Sequence, residues 1–244
     1  MKSIIFLSDS HGKHESIYVL KDGDSLENTE TLYHITGGIF LPSEADIIIH
    51  AGDISMGGTE YEIEKFLKWY SKLPYPSKIL IAGNHDKLFD FQRSIAKEIL
   101  KKYPEITYLE SQEVVINGIK IYGEPVSPTF GYGWAFNADR GEKIKKHWDA
   151  IPDDVDICIL HCPPKGILDM TIRGENVGCE DLLYRLMEIK PKIVVYGHIH
   201  EHYGHEIIND IHFFNASVLN LRYQLQNKPW IIEIDDNKNI KVIK

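Results

Sequence analysis

Three cysteines are all the chain has, Cys158, Cys162 and Cys179, and none forms a CxxC pair. That excludes a disulfide framework and points to a reducing compartment. Positive charge is scarce as well: 27 Lys and Arg stand against 36 Asp and Glu, a net charge of −9. A general binder of nucleic acid or of an anionic membrane carries a basic face, so neither is expected as a stable partner. A phosphate ligand would then need its charge met by something other than side chains, such as a bound metal. No apolar run approaches the roughly 20 residues of a membrane span, and the opening run to Leu7 is too short for a signal peptide. Fixed-period repeats, low-complexity tracts and linkers are missing too. At 244 residues, 43% of them hydrophobic, the chain can bury a large core. The expectation is a single domain over residues 1–244, located in the cytoplasm.

What is present is a set of short, apolar, β-rich runs that end abruptly in polar residues. They are Ser3–Leu7, Ala45–Ile49, Lys78–Ala82, Asp156–Leu160 and Lys192–Tyr196. Near-continuous runs of this length read as strands buried on both faces. Helical patterns lie between them. Thr59 with Glu62 three residues later makes an N-terminal capping pair, followed by Ile63, Phe66, Leu67 and Tyr70 at helical spacing. Phe89–Tyr103, Asp139–Trp148 and Cys179–Ile189 are further helices. Asn117-Gly118 between two apolar runs predicts a tight hairpin, and the tail alternates in the same way around Asn209-Asp210 and Asp235–Asn239. Lys21–Gly38 and Pro125–Asn137 read as loops at the rim of a site. Together these predict an α/β fold in which mixed sheets stack and helices flank them.

The chemistry follows the strands. After the five apolar runs come, in order, Asp9-Ser10-His11, Gly52-Asp53, Gly83-Asn84-His85-Asp86, His161 and Gly197-His198-Ile199-His200. Open α/β sheets place ligands at the carboxyl ends of their strands. Carboxylates, imidazoles and an amide oxygen suit two neighbouring hard or borderline divalent cations. The small Gly52, Gly83 and Gly197 let the backbone pass close to such metals.

These five blocks, in this order, resemble the signature of the calcineurin-like metallophosphoesterases. The runs Tyr122–Pro125, Trp134–Gly141, His161–Pro164 and Asn215–Ser217 are similar to the branch containing the mammalian metallophosphoesterase-domain-containing proteins. The resemblance implies a four-layer sandwich of two mixed β-sheets flanked by α-helices. It implies one metal held by Asp9, His11, Asp53 and His200, a second held by Asp53, Asn84, His161 and His198, and Asp53 as the bridge. By the same resemblance the metals would be two divalent or trivalent ions, with manganese the one expected in vitro and iron or zinc as alternatives. A metal-bridging hydroxide would be the nucleophile, and His85, beside the metals without binding them, the proton donor to the leaving oxygen. The implied activity is hydrolysis of a small phosphate ester, a phosphodiester of nucleotide or cyclic-nucleotide type ahead of a monoester. A catalytically silent binding module on the same fold is the reading outside enzymes.

Several residues have two readings. Asp86 either orients His85 or caps the following helix. Asn84 and His85 also stand where substrate would bind. Trp134, Phe136, Asn137 and Arg140 could form a substrate wall with a stacking ring and a phosphate contact. The favoured alternative puts the aromatics in the core, pairs Asp139 with Glu142 as a capping box and leaves Arg140 on the surface. Arg173, one of five arginines, either reaches substrate or is a solvated loop residue. Cys162 reads as a small buried residue. His14, His34, His50, His147, His202, His205 and His212 lack motif context and read as structural or exposed, with His50 and His202 nearest the motifs.

Overall fold

The computed structural model of the chain describes residues 1–21, 23–24 and 29–243. In the first half, the elements are β1 (Lys2–Leu7), β2 (Ile17–Val19), α1 (Thr29–Thr36), β3 (Ile39–Leu41), β4 (Ile47–Ala51), α2 (Glu60–Ser71), β5 (Ser77–Ile81), α3 (Lys87–Phe91), α4 (Arg93–Leu100) and β6 (Ile106–Tyr108). The second half continues with β7 (Gln112–Ile116), β8 (Ile119–Glu124), β9 (Ser127–Pro128), β10 (Asn137–Ala138), α5 (Glu142–Asp149), β11 (Ile157–Leu160), α6 (Glu180–Ile189) and β12 (Ile193–Tyr196). It closes on β13 (Gly204–Ile208), β14 (Ile211–Asn215), β15 (Trp230–Ile234) and β16 (Ile240–Val242).

Two six-stranded mixed sheets dominate, in the orders β16-β15-β1-β4-β5-β6 and β13-β14-β12-β11-β8-β7. Each has a parallel centre. In the first sheet β1, β4, β5 and β6 run parallel and β15 returns antiparallel to β1. In the second, β14, β12, β11 and β8 run parallel, with antiparallel β13 and β7 at the edges.

Strand alternation then assigns the layers. Along β1, Ile4 and Phe6 enter a core shared with Ile121, Ile159 and Val195 of the other sheet. Ile5 and Leu7 point the opposite way and pack with Ile63, Phe66, Leu67 and Tyr70 of α2. Along β11, Ile157 and Ile159 face the first sheet, while Cys158 and Leu160 pack with Trp148 of α5 and Leu182 and Leu186 of α6. Apolar side chains on both faces of the strands therefore build helix, sheet, sheet, helix, the four layers that the sequence resemblance implied. The Thr59–Glu62 capping box forms at α2, and Asn117-Gly118 and Asn209-Asp210 turn antiparallel hairpins.

Three local expectations are corrected. The single helix over Phe89–Tyr103 is two helices, broken at Gln92 with φ −134° and ψ 50°. The break lets Leu88 and Phe89 of α3 and Ala96 and Ile99 of α4 reach one core. The helix expected from Asp139 starts at Glu142 behind Gly141, whose φ is 82°. Asp139 makes no capping box, because its carboxylate accepts from Thr129 Oγ1 at 2.9 Å and Lys143 Nζ at 2.7 Å. In the expected loop Lys21–Gly38, Thr29–Thr36 is helical; residues 22 and 25–28 of that expectation lie outside the described residues.

Candidate metal centre

The carboxyl ends of β1, β4 and β5 in one sheet meet those of β11 and β12 in the other, and the polar blocks that follow them converge there. The turns are sharp: Asp9, His11, Asp53 and His198 have φ of 54°, 38°, 55° and 67°. Left-handed backbone in four non-glycine residues costs free energy and persists only where the surroundings enforce it. Part of that enforcement is visible at His198, whose backbone N–H donates to both carboxylate oxygens of Asp9 at 3.1 Å. The close approach also explains Gly197, where a Cβ would overlap Asp9 Oδ2 and Ser8 Oγ.

Two donor groups form, and Asp53 lies between them. Asp9, His11 and His200 make one group, and Asp53, His161 and His198 the other; within each, the ligand atoms lie within 4.8 Å of one another. Asp53 Oδ2 is 3.6 Å from His11 Nε2 and 3.3 Å from His161 Nε2, so one oxygen faces both. Asn84 Oδ1 adds a neutral donor 2.9 Å from His161 Nε2.

The donor chemistry fits cations. His11 Nδ1 lies 3.1 Å from Ser55 O, His161 Nδ1 3.0 Å from Ala51 O, and His200 Nδ1 3.3 Å from Asn220 O. An imidazole that donates Nδ1–H to a carbonyl presents the lone pair of Nε2, which is how ligating histidines are oriented. His11 Nε2 and His200 Nε2 then face each other at 3.3 Å. A proton on His200, which burial opposes and Asp9 favours, makes this contact a hydrogen bond, and donors each about 2.1 Å from one metal have an edge of the same length.

Electrostatics agrees. Burial opposes charge on Asp9 and Asp53, but hydrogen bonds and charge from His200 and His161 hold both below the usual carboxylate range. Burial drives His11 down to about 4 and His198 to about 3, which keeps them neutral. Burial works against the proton on His161, yet Asp53 raises it to about 9. That proton and a cation compete for the same Nε2.

A model of the calcineurin-like phosphoesterase family matches residues 2–202. The chain belongs to the calcineurin-like phosphoesterase family. Human metallophosphoesterase domain-containing protein 1 is 38% identical over 216 residues, covering 80% of this chain and 66% of the relative. UPF0046 protein T07D4.2 of Caenorhabditis elegans is 33% identical over 223 residues, covering 80% and 56%. The match thus spans just under two thirds of the human relative and less of the nematode one. The solved structure of TT1561 from Thermus thermophilus shares the fold at 15% identity, with a TM-score of 0.62 over 99% of this chain and 97% of that one.

Around this candidate metal centre the other residues take distinct places. His85 joins His11 and Asp53 in a third group of close donors, and its Nδ1 is 2.7 Å from Met56 O. Asp86 does neither thing expected of it. Its buried carboxylate accepts from Gly83 N, Ile54 N, Ser55 N and Ser55 Oγ at 2.8, 3.2, 3.0 and 2.6 Å, tying the β4 and β5 loops together. Trp134 stands at the rim with its ring 4.5 Å from that of His85, while Phe136 is in the core. Arg140 donates from Nη1 and Nη2 to the carbonyls of Gly178 and Val177. Arg173 is exposed on a turn, and Cys162 is buried. Of the two histidines nearest the motifs, His50 pairs with Ser10 Oγ at 3.1 Å and His202 Nδ1 accepts from Met170 N at 2.8 Å.

Sequence reasoning missed two rim aromatics. The Phe130 ring lies 5.0 Å from His198 and stacks on Trp134 at 5.8 Å, and the Tyr223 ring lies 4.9 Å from His11. Phe130 could have been found from Phe130-Gly131-Tyr132-Gly133-Trp134, where aromatics alternate with glycine beside a motif. Tyr223 carries no such signal. Among the described residues, no helix is long and apolar enough to cross a membrane.

Proposed function

We propose that the chain is a dinuclear metal-dependent phosphodiesterase acting on small esters of nucleotide or cyclic-nucleotide type. The observation that carries the reading is the convergence, from two sheets, of two donor groups with Asp53 Oδ2 facing both and the imidazole Nε2 atoms turned inward. Asp9, His11, Asp53 and His200 would hold one cation, and Asp53, Asn84, His161 and His198 the other. When bound, the pair would supply positive charge to the phosphoryl oxygens and lower the pKa of water. Asp53 and Asp9 set the charge: two divalent cations less two carboxylates leave about +2 for an anionic ester, which the chain's own net charge of −9 would otherwise repel. His85, its Nδ1 anchored on Met56 O, keeps its other nitrogen for the leaving oxygen and gives it a proton. Manganese is the metal proposed for assay, the diester preference is carried over from family likeness, and a cytoplasmic location remains the expectation.

The test is hydrolysis of bis(p-nitrophenyl) phosphate and p-nitrophenyl phosphate by metal-stripped protein, with and without Mn²⁺, beside Asp53→Asn. The expected result is Mn²⁺-dependent cleavage, faster for the diester, and loss of both metals and activity in the variant. Faster monoester cleavage would replace the diester reading, and a metal-loaded protein without activity would replace it with a binding module.

A further inference from the structure

A cavity of about 710 Å³ opens beside His198, and none of its other lining residues enters the chemistry above. Pro128, Phe130, Pro163, Val177 and Ile199 line it. Arg140 and Lys165 reach it too, but Arg140 donates to the carbonyls of Val177 and Gly178, and Lys165 Nζ to that of Asn176. Three consecutive carbonyls thus engage the two cations, which fix segment 176–178 as a wall. Glu175 and Glu180 balance their charge at the same cavity, so the lining does not favour an anion. What a ligand would meet between these polar groups is mostly apolar, with the Phe130 ring at the end nearest His198.

Position says which part of a substrate would lie there. His85, Trp134, Phe130 and His198 form a ladder of neighbouring rings with centroid separations of 4.5, 5.8 and 5.0 Å. His85, the proton donor to the leaving oxygen, stands at one end. The cavity adjoins His198 at the other end. A phosphodiester has two substituents, and in hydrolysis one bond from phosphorus to oxygen breaks while one to the oxygen of water forms. The leaving alcohol takes its proton at His85, and the other substituent stays on phosphorus in the monoester product. A monoester has no such second substituent.

We infer that the cavity between Phe130 and Val177 receives the retained substituent of a phosphodiester and selects planar, apolar groups such as an aryl ring. The inference rests on the phosphodiesterase reading and goes beyond it, because it names which ester group the chain discriminates and by which residues. Phe130 offers an aromatic ring, and Pro128, Pro163 and Val177 add apolar surface beside it.

Phenyl p-nitrophenyl phosphate and methyl p-nitrophenyl phosphate share a leaving group and differ only in what is retained. With Mn²⁺-loaded protein, kcat/KM is expected to favour the phenyl ester by about tenfold, the worth of burying a ring of this size. Phe130→Ala, which removes the ring face, and Val177→Trp, which fills the cavity, should each bring the ratio close to one. Calorimetric binding of diphenyl phosphate against dimethyl phosphate to the same three proteins reads the cavity without turnover and should show the same order. A wild-type ratio near one with both esters cleaved overturns the cavity inference and leaves the phosphodiesterase reading standing. If neither ester is cleaved, the phosphodiesterase reading fails, and equal binding of the two phosphates then overturns the cavity inference as well. An advantage for phenyl that survives both substitutions also overturns it.

Discussion

His85 reaches the centre with one ring nitrogen already engaged, since Nδ1 lies 2.7 Å from the carbonyl of Met56. That anchor turns the other nitrogen toward the centre, as the like anchors do in His11 and His161, and the proposed role as acid requires that nitrogen to carry a proton rather than bind a metal. His85→Ala should therefore retain both metals by elemental analysis while slowing turnover, by about 10²-fold or more for an alkoxide leaving group and much less for p-nitrophenolate. Loss of metal would make His85 a ligand, and full activity on an alkyl ester would remove its role as acid. His14 shows the opposite situation. It is buried against Phe66 and Trp69, neither ring nitrogen has a hydrogen-bond partner among the described residues, and burial lowers its pKa to about 4. The folded chain thus binds fewer protons than the unfolded chain between about pH 4 and about pH 6.5, so stability rises with pH across that window and is lost as pH falls through it. Between about pH 7 and about pH 5 the loss from this residue should be about 2 kcal/mol, and His14→Leu should flatten the pH dependence by that amount in urea unfolding. An unchanged slope would sink the assignment.

At the scale of elements, the centre depends on how the loops after β4 and β5 are joined. Asp86 makes that joint with four accepted hydrogen bonds, and one partner, Ser55, carries the carbonyl that orients His11. Asp86→Ala would strand buried donors and should cost about 3 kcal/mol or more, with weaker metal binding in calorimetry because His11 loses its anchor. Thr59→Ala, which removes the capping box of α2, makes the contrast: about 1 kcal/mol of stability lost and metal affinity unchanged. Equal effects of the two on metal affinity would mean that Asp86 matters only through global stability. The same loops show where sequence reasoning ran out. A capping pair such as Thr59–Glu62 is local and legible, whereas Asp86 acts on residues some thirty positions away, and an aspartate after histidine reads equally well as an orienting group or a cap.

For the whole molecule, the two sheets share one hydrophobic core and one polar edge. The first sheet supplies Asp9, His11, Asp53 and Asn84, and the second supplies His161, His198 and His200. Cations held between these sets would cross-link the sheets and stabilise only the folded chain, by about 4 kcal/mol for a site at a thousandfold excess over its Kd. Chelation should lower Tm, and Mn²⁺ should restore it in wild type but not in Asp53→Asn. A Tm indifferent to chelation and reloading would show that the donors hold no cation tightly.

Apolar residues on both faces of a short run leave few other structures, so the five central strands and the polar residues after each were legible in the sequence, whereas the short β2, β3, β6, β9 and β10 were not. The sequence by itself also set the family, through five blocks whose order is independent of any contact. Only the tertiary structure decided what depends on residues meeting across distance. It separated Asp53 Oδ2 from the other carboxylate oxygens as the one facing both donor groups, gave Asp86 its role as a joint, and turned Arg140 onto backbone carbonyls. It also brought Phe130 and Tyr223 to the rim. Periodicity records which way a side chain points from its own strand; it holds no record of what the other sheet places opposite.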